Sequence, residues 1–300
     1  MAPEVDPIFV VGAGRVGSAL GALLSRAGQE VLGLWSRSRV RAEAARVLTG
    51  LPCAFDALPP DIGRARTVVV AVHDEAVVAV AGALLDGGLL RSAMTVLHCG
   101  GARPAREALS PLVGHEQLSL GTLHPLIAVA DAAQALRHLP GAHFAVEGEA
   151  AAREVARALA GAAGARTFEL AAEQMTLYHT AAVLASNHPV AIWHVARMLL
   201  EQAGVAPAGE ALSGLLRSTL ENVEELGLPW ALTGPVRRGD ATTVSRHLDE
   251  LGRRAPGLVP LYRACTLAAA DTAESAEPGL SLERIRELVK PEVKSQVKSS

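Results

Sequence analysis

The sequence predicts an α/β chain in two parts: a doubly wound, mostly parallel sheet, then an all-α domain. Three observations carry that expectation. Short apolar and β-branched runs alternate with helical patterns from residue 8 to about 170. A turn with three spaced glycines joins the first run to the first helical pattern. From Ala171 the β-branched runs stop, and helical periodicity alone continues to Lys290. The expected division is therefore 1–170, 171–290 and a polar tail at 291–300.

The first run, Ile8-Phe9-Val10-Val11, reads as a buried strand. The turn Gly12-Ala13-Gly14-Arg15-Val16-Gly17 follows with GxGxxG spacing, and a helical pattern then runs to Ala27. Each glycine has its own physical task. Gly12 makes the tight turn, Gly14 leaves the backbone open to a pyrophosphate, and Gly17 lets the helix pack on the sheet. The free N–H groups of the helix N-terminus favour an anion. Strand, glycine turn and helix in this order point to a Rossmann-type dinucleotide site. Gly28 stands where a helix C-terminal glycine belongs.

The second strand, Glu30–Trp35, ends in Ser36-Arg37-Ser38-Arg39. In such a fold this strand end meets the adenosine ribose, where an acidic residue would favour NAD. Hydroxyls and arginines stand there instead and suit a 2′-phosphate, so the expected cofactor is NADP(H). A short third strand is expected at Cys53-Ala54-Phe55. The run Thr67–Val72 reads as a buried parallel strand. Val72 and His73 at its end face the middle of the cofactor, while Asp74 reads as a cap for the next helix. Thr95-Val96-Leu97 ends in His98-Cys99-Gly100-Gly101, which places His98 and Gly100 toward the nicotinamide. Cys99 reads as an inert thiol. Leu118–Leu123 continues into His124-Pro125. A strand at His143–Glu147, a helix at Ala150–Ala163 and a strand at Arg166–Leu170 complete the alternation.

The second half opens on one long helical pattern from Glu173 to Glu201. His179, Val183, Ser186 and Asn187 share one face of it, and Pro189 is expected to kink it. A polar set on an apolar helix beside the cofactor domain reads as a substrate site, or as a polar network between helices. Thr233 and Arg238 lie in a turn-rich loop, where Arg237 and Arg238 read as carboxylate binders or as solvated surface. Asp240 reads as the cap of helix 241–252, and Ser281 as the cap of a final helix.

Composition narrows the classes further. A net charge of −3 without a basic block, and 3% aromatic residues, give no support for binding nucleic acid. Three widely spaced cysteines form neither a disulfide framework nor a zinc pattern, which fits a reducing compartment. The most apolar window, 67–90, is broken by His73-Asp74-Glu75 and Asp86, so no membrane span is expected. A cytoplasmic location is the expectation, with the Ala- and Leu-striped helical domain forming a homodimer.

Taken together, these motifs resemble the Rossmann-like proteins with a DUF2520 C-terminal domain. That family is related to β-hydroxyacid dehydrogenases, pyrroline-5-carboxylate reductase and ketopantoate reductase. The matching pieces are the glycine turn, Ser36-Arg37-Ser38, His98-Cys99-Gly100, His124-Pro125, Tyr178-His179, Ser186-Asn187 and Thr233 to Asp240. The resemblance implies an NADP-dependent oxidoreductase with a helical domain that often dimerises. Many members carry Lys-x-Leu-Tyr-His, and Met175 stands at that lysine position here. If that lysine donates the proton in relatives, this chain uses another group or lacks the chemistry.

The expected reaction is hydride transfer between NADP(H) and a C=O or C=N carbon of a small metabolite. That substrate is expected to be carboxylated, such as a ketopantoate-like keto acid. Ser186 and Asn187 orient it, His179 or His124 supplies the proton, and Arg238 with Thr233 receives the carboxylate. The alternative is a catalytically silent NADP-binding sensor or interaction protein.

Overall fold

The computed structural model describes residues 5–115 and 117–290. The polar tail expected at 291–300 lies outside the described residues. The chain divides into two units, with the division between Ala191 and Ile192.

The first unit is built on one eight-stranded sheet. Its strands are β1 (Ile8–Val11), β2 (Val31–Ser36), β3 (Cys53–Phe55), β4 (Thr67–Val70), β5 (Thr95–His98), β6 (Ser119–Pro125), β7 (His143–Gly148) and β8 (Arg166–Glu169). They lie in the order β3-β2-β1-β4-β5-β6-β7-β8. The first six strands are mutually parallel, β7 pairs antiparallel with β6, and β8 runs parallel to β7. The order reverses between β1 and β4, which opens the crevice at the carboxyl ends where a dinucleotide fold receives its ligand.

Period-2 alternation sends neighbouring residues to opposite cores. In β4, Val69 faces the core shared with α1 (Arg15–Arg26), α5 (Ala132–His138) and α6 (Ala150–Ala162). Val68 and Val70 face the other core, packed by α3 (Asp74–Asp86) and α4 (Ala105–Ala108). Both faces are covered, so the strands read as continuous apolar runs. Helix α2 (Arg39–Thr49) follows β2. Helix α5 is not among the elements expected from the sequence. Asp131 caps it by accepting from the Gln134 amide at 2.7 Å, but seven residues are too few to display a helical period.

Helix α7 (Met175–Gln202) begins in the first unit, ends in the second, and stays helical through Pro189. The second unit continues with α8 (Ala208–Leu226), α9 (Ala241–Arg254), α10 (Val259–Ala276) and α11 (Glu283–Val289). Val236, Val244, Ala270, Ala273, Leu282, Ile285 and Val289 form its core. Asp240 caps α9, as expected, through the Thr243 amide at 3.0 Å. Ser281 does not cap α11: its hydroxyl bonds Glu283, and Leu282 occupies the cap position. Among the described residues, no helix is long and apolar enough to cross a membrane.

Candidate active site

The glycine turn is shaped as its spacing requires. Gly12 has φ +122°, and a Cβ there would lie 2.3 Å from the Ala71 carbonyl oxygen. A Cβ on Gly17 would lie 1.9 Å from the Gly12 oxygen, while nothing approaches within 4 Å of one on Gly14. The turn is thus closed on the protein side and open on the other. Helix α1 starts after Gly14 with no side-chain cap and no acidic residue in its first turn. Its first N–H groups therefore face a space suited to phosphate, so these residues fit a dinucleotide. Ala13 is buried and Val16 half-buried in this turn. Exposed Arg15 donates to the Val129 carbonyl at 2.9 Å.

At the end of β2, the Ser36 hydroxyl accepts from the Ser38 amide at 3.2 Å, and Ser38 caps α2. Both serines shape the turn that presents Arg37, which is exposed. Arg39 lies over the Phe55 ring at 5.5 Å. Val72 is half-buried and His73 exposed where β4 leads into α3. Asp74 is the first residue of α3 rather than its cap. A Cβ on Gly100 would lie 2.7 Å from its carboxylate oxygen, and the Arg103 guanidinium donates to its carbonyl.

His98 departs from its expected role. Its imidazole does not face a ligand: it is 1% exposed and both ring nitrogens are engaged inside the fold. The reason is register. His98 pairs with Thr122 across β5 and β6, which puts its ring against the buried Thr122 hydroxyl. Burial, with smaller contributions from His124 and Arg103, pushes its pKa down to about 3. Cys99 is inert, as expected, with its thiol pushed up to about 12 by burial.

The structure does bring His124 and His179 together. His124 ends β6, and His179 lies in the second turn of α7. Their ring centroids are 5.9 Å apart, nearly perpendicular. Gly101 lies against both: a Cβ there would sit 2.6 Å from His124 Nε2 and 2.8 Å from His179 Nδ1. The Tyr178 hydroxyl lies 2.6 Å from His124 Nδ1, and Phe168 packs edge-on against the Tyr178 ring. Burial and the neighbouring His179 push the His124 pKa down to about 4. Burial raises the Tyr178 pKa to about 12. His179 Nδ1 is buried and has no hydrogen-bond partner among the described residues.

Tyr178 and Gly101 are not among the site residues that the sequence singles out. The signal for Tyr178 was its place beside His179 in the motif. Gly101 had only its place after Gly100.

Ser186 and Asn187 stand about 10 Å further along the α7 axis than His179. The Ser186 hydroxyl bonds the Ala182 carbonyl at 2.8 Å and lies 2.9 Å from Asn187 Oδ1. Met175, where the resemblance implies a lysine, is completely buried at the start of α7. In the second unit, Thr233 and Arg238 are exposed, while Arg237 pairs with Glu277 at 2.7 Å.

Strand order, glycine turn and uncapped first helix define a Rossmann-like α/β protein with a helical C-terminal region. The model of the Rossmann-like domain matches residues 4–125, and that of DUF2520, a domain of unknown function, matches residues 142–269. The chain belongs to the family that joins these two domains. Among solved structures it is similar to BF3122 from Bacteroides fragilis, at 22% identity and a TM-score of 0.70, covering 88% of this chain and 98% of that one. TM1727 from Thermotoga maritima follows at 24% identity and a TM-score of 0.68, covering 90% and 99%. The reductive aminase from Aspergillus terreus in complex with NADPH and ethyl levulinate shares 18% identity at a TM-score of 0.57, covering 89% and 94%. These likenesses establish the fold. No curated protein matches the sequence.

Proposed function

We propose that this chain is an NADP(H)-dependent oxidoreductase acting on a C=O or C=N carbon of a small, carboxylated metabolite. The observation that carries this reading is the convergence of His124 and His179 on Gly101, with Tyr178 bonded to His124. They meet at the carboxyl edge of the same unit that holds the open glycine turn. The A. terreus aminase, which binds NADPH on a similar fold, supports the cofactor class.

Gly12 to Gly17 and the α1 N-terminus would hold the pyrophosphate, and Arg37 with Ser36 and Ser38 the 2′-phosphate. When bound, a reduced nicotinamide would supply the hydride. The protein's part is to hold the acceptor and provide a proton. His124 is neutral at neutral pH because its pKa lies at about 4. It therefore serves as an oriented hydrogen-bonding group, held by Tyr178, and the proton falls to His179. Buried Nδ1 of His179 has no partner among the described residues, which leaves Nε2 as the nitrogen to meet the substrate. In its imidazolium form His179 would give the Nε2 proton to the substrate oxygen or nitrogen as the carbon receives hydride, and would be left as a neutral imidazole.

A second reading, a silent NADP-binding protein, is favoured by one observation: buried Met175 offers no proton at the position where the resemblance implies a lysine. Titration of NADPH and NADH against wild type and Arg37→Ala, with a turnover screen, separates the two. Tight NADPH binding without turnover of any keto acid or imine favours the silent protein. Equal loss of both cofactors in Arg37→Ala overturns the 2′-phosphate assignment.

The same reading includes a homodimer through the helical region. Leu215 and Leu220 of α8 are 62% and 54% exposed, and Leu177 of α7 is 74% exposed. Such surface favours cover by a second copy. Sedimentation at a monomer's mass would refute it.

A further inference from the structure

Beneath the histidine cluster lies a second set of polar groups that the reaction does not use. Thr122 of β6 is completely buried, and Glu147 of β7 is 5% exposed. The Thr122 hydroxyl lies 2.8 Å from His98 Nε2 and 3.0 Å from Glu147 Oε2. That same carboxylate oxygen accepts from the Ala105 amide at 2.7 Å, and the Gly100 amide donates to His98 Nδ1 at 3.2 Å.

The backbone fixes the direction of every bond in this chain. An amide N–H can only donate, so His98 Nδ1 is an acceptor. A neutral imidazole then carries its hydrogen on Nε2 and donates to Thr122. The single hydroxyl hydrogen of Thr122 is left to go to Glu147, which accepts from both sides. A proton added to His98 would have to sit on Nδ1, facing the Gly100 amide, so the chain and a charged imidazole are incompatible. The groups facing His98 are Thr122, Arg103 and His124; those facing His124 are Tyr178 and His179.

The two amides held this way are Gly100 and Ala105, which bracket the loop containing Gly101. Thr122 also stands two residues before His124 on one strand, so the two project from the same face. One buried set of bonds thus ties both halves of the cluster: the loop that carries Gly101 and the strand that carries His124.

We propose that Thr122, with His98 and Glu147, is a positioning residue that holds Gly101 in register with His124 and His179. The importance of this for catalysis rests on the proposed function; the positioning itself does not. Full-length protein labelled with ¹⁵N in histidine, observed by long-range proton–nitrogen NMR without ligand, tests it. In wild type, His98 shows the Nε2–H tautomer and does not titrate across the neutral range. Thr122→Val shifts the ring nitrogens of His124 and His179 as well as those of His98, and Thr122→Ser restores all three.

If only the His98 signals move in Thr122→Val, or if wild-type His98 carries its hydrogen on Nδ1, the proposal is overturned. Should Thr122→Val not fold, amide exchange in wild type decides. The Gly100 and Ala105 amides are expected to be protected by about 100-fold or more, although one lies in a loop and the other in the first turn of a helix. Free exchange at both overturns the proposal. NADPH fluorescence titration and turnover in the same samples test the functional reading separately. Wild-type protein that neither binds NADPH nor turns over any keto acid or imine, with the ring-nitrogen shifts as expected, overturns the function and leaves the positioning role intact.

Discussion

The Tyr178 hydroxyl lies 2.6 Å from Nδ1 of His124, joining the start of α7 to the end of β6. The two residues are 54 positions apart in the chain, so only the folded sheet and helix bring them together. Their contact turns a strand-end histidine into an oriented one. Tyr178→Phe removes that bond while keeping the ring against Phe168. Stability should fall by about 1 kcal/mol. Turnover of a verified substrate should fall by about tenfold or more through loss of orientation. NADPH binding should stay at the wild-type level. Thermal unfolding, fluorescence titration and steady-state kinetics check the three parts.

Gly101 is the tightest point of the cluster. Gly101→Ala would place a methyl group 2.6 Å from His124 Nε2 and 2.8 Å from His179 Nδ1, so at least one ring must move. A displacement of that size is expected to cost about 100-fold in kcat. Cofactor affinity should be unaffected, because the glycine turn lies elsewhere on the sheet edge. Wild-type kcat in Gly101→Ala would show that the two imidazoles do not need their observed spacing.

The glycine turn makes two opposite predictions. Gly14→Ala meets no protein atom within 4 Å. It should fold normally yet bind NADPH about tenfold or more weakly, because the methyl enters the pyrophosphate space. Gly17→Ala would drive a Cβ to 1.9 Å from the Gly12 oxygen and should cost about 1–3 kcal/mol in stability. Calorimetry paired with titration distinguishes them. Unimpaired binding in Gly14→Ala would remove the phosphate from this turn.

Acid stability follows from the two neutral imidazoles. His98 and His124 have folded pKa values of about 3 and about 4, below the ordinary histidine value of about 6.5. Above that value the two contribute no pH dependence. As pH falls below it, the unfolded chain takes up protons that the folded chain refuses, so stability is lost. The slope approaches about 1.4 kcal/mol per pH unit for each imidazole until the folded values are reached. Urea midpoints between about pH 6.5 and pH 5, before most carboxylates titrate, should fall accordingly. A flat profile in that window would contradict the neutral burial of both rings.

Much of the fold was legible because its signals are local. The Thr67–Val72 run, which forms a strand as far as Val70, the glycine spacing and the Asp240 cap each depend on neighbours in sequence, and the structure keeps them. The antiparallel return of β7 against β6 was not legible, since strand direction is decided by the path of the intervening chain through α5. For the site, His124 and His179 could be singled out as polar residues at informative positions. The burial of His98 could not, because it depends on Thr122 and Glu147, which lie 24 and 49 residues away. A histidine at a strand end looks the same in sequence whether its ring faces the cleft or a buried hydroxyl.

On the proposed function, His179 protonates a carbonyl or imine as NADPH reduces it. The most direct test is a screen of small α-keto acids and cyclic imines, followed by NADPH absorbance, with wild type and His179→Ala run side by side. Wild type is expected to oxidise NADPH with at least one carboxylated compound. His179→Ala is expected to retain NADPH binding while losing about 100-fold or more of that rate. Equal turnover by the two proteins would contradict this role of His179.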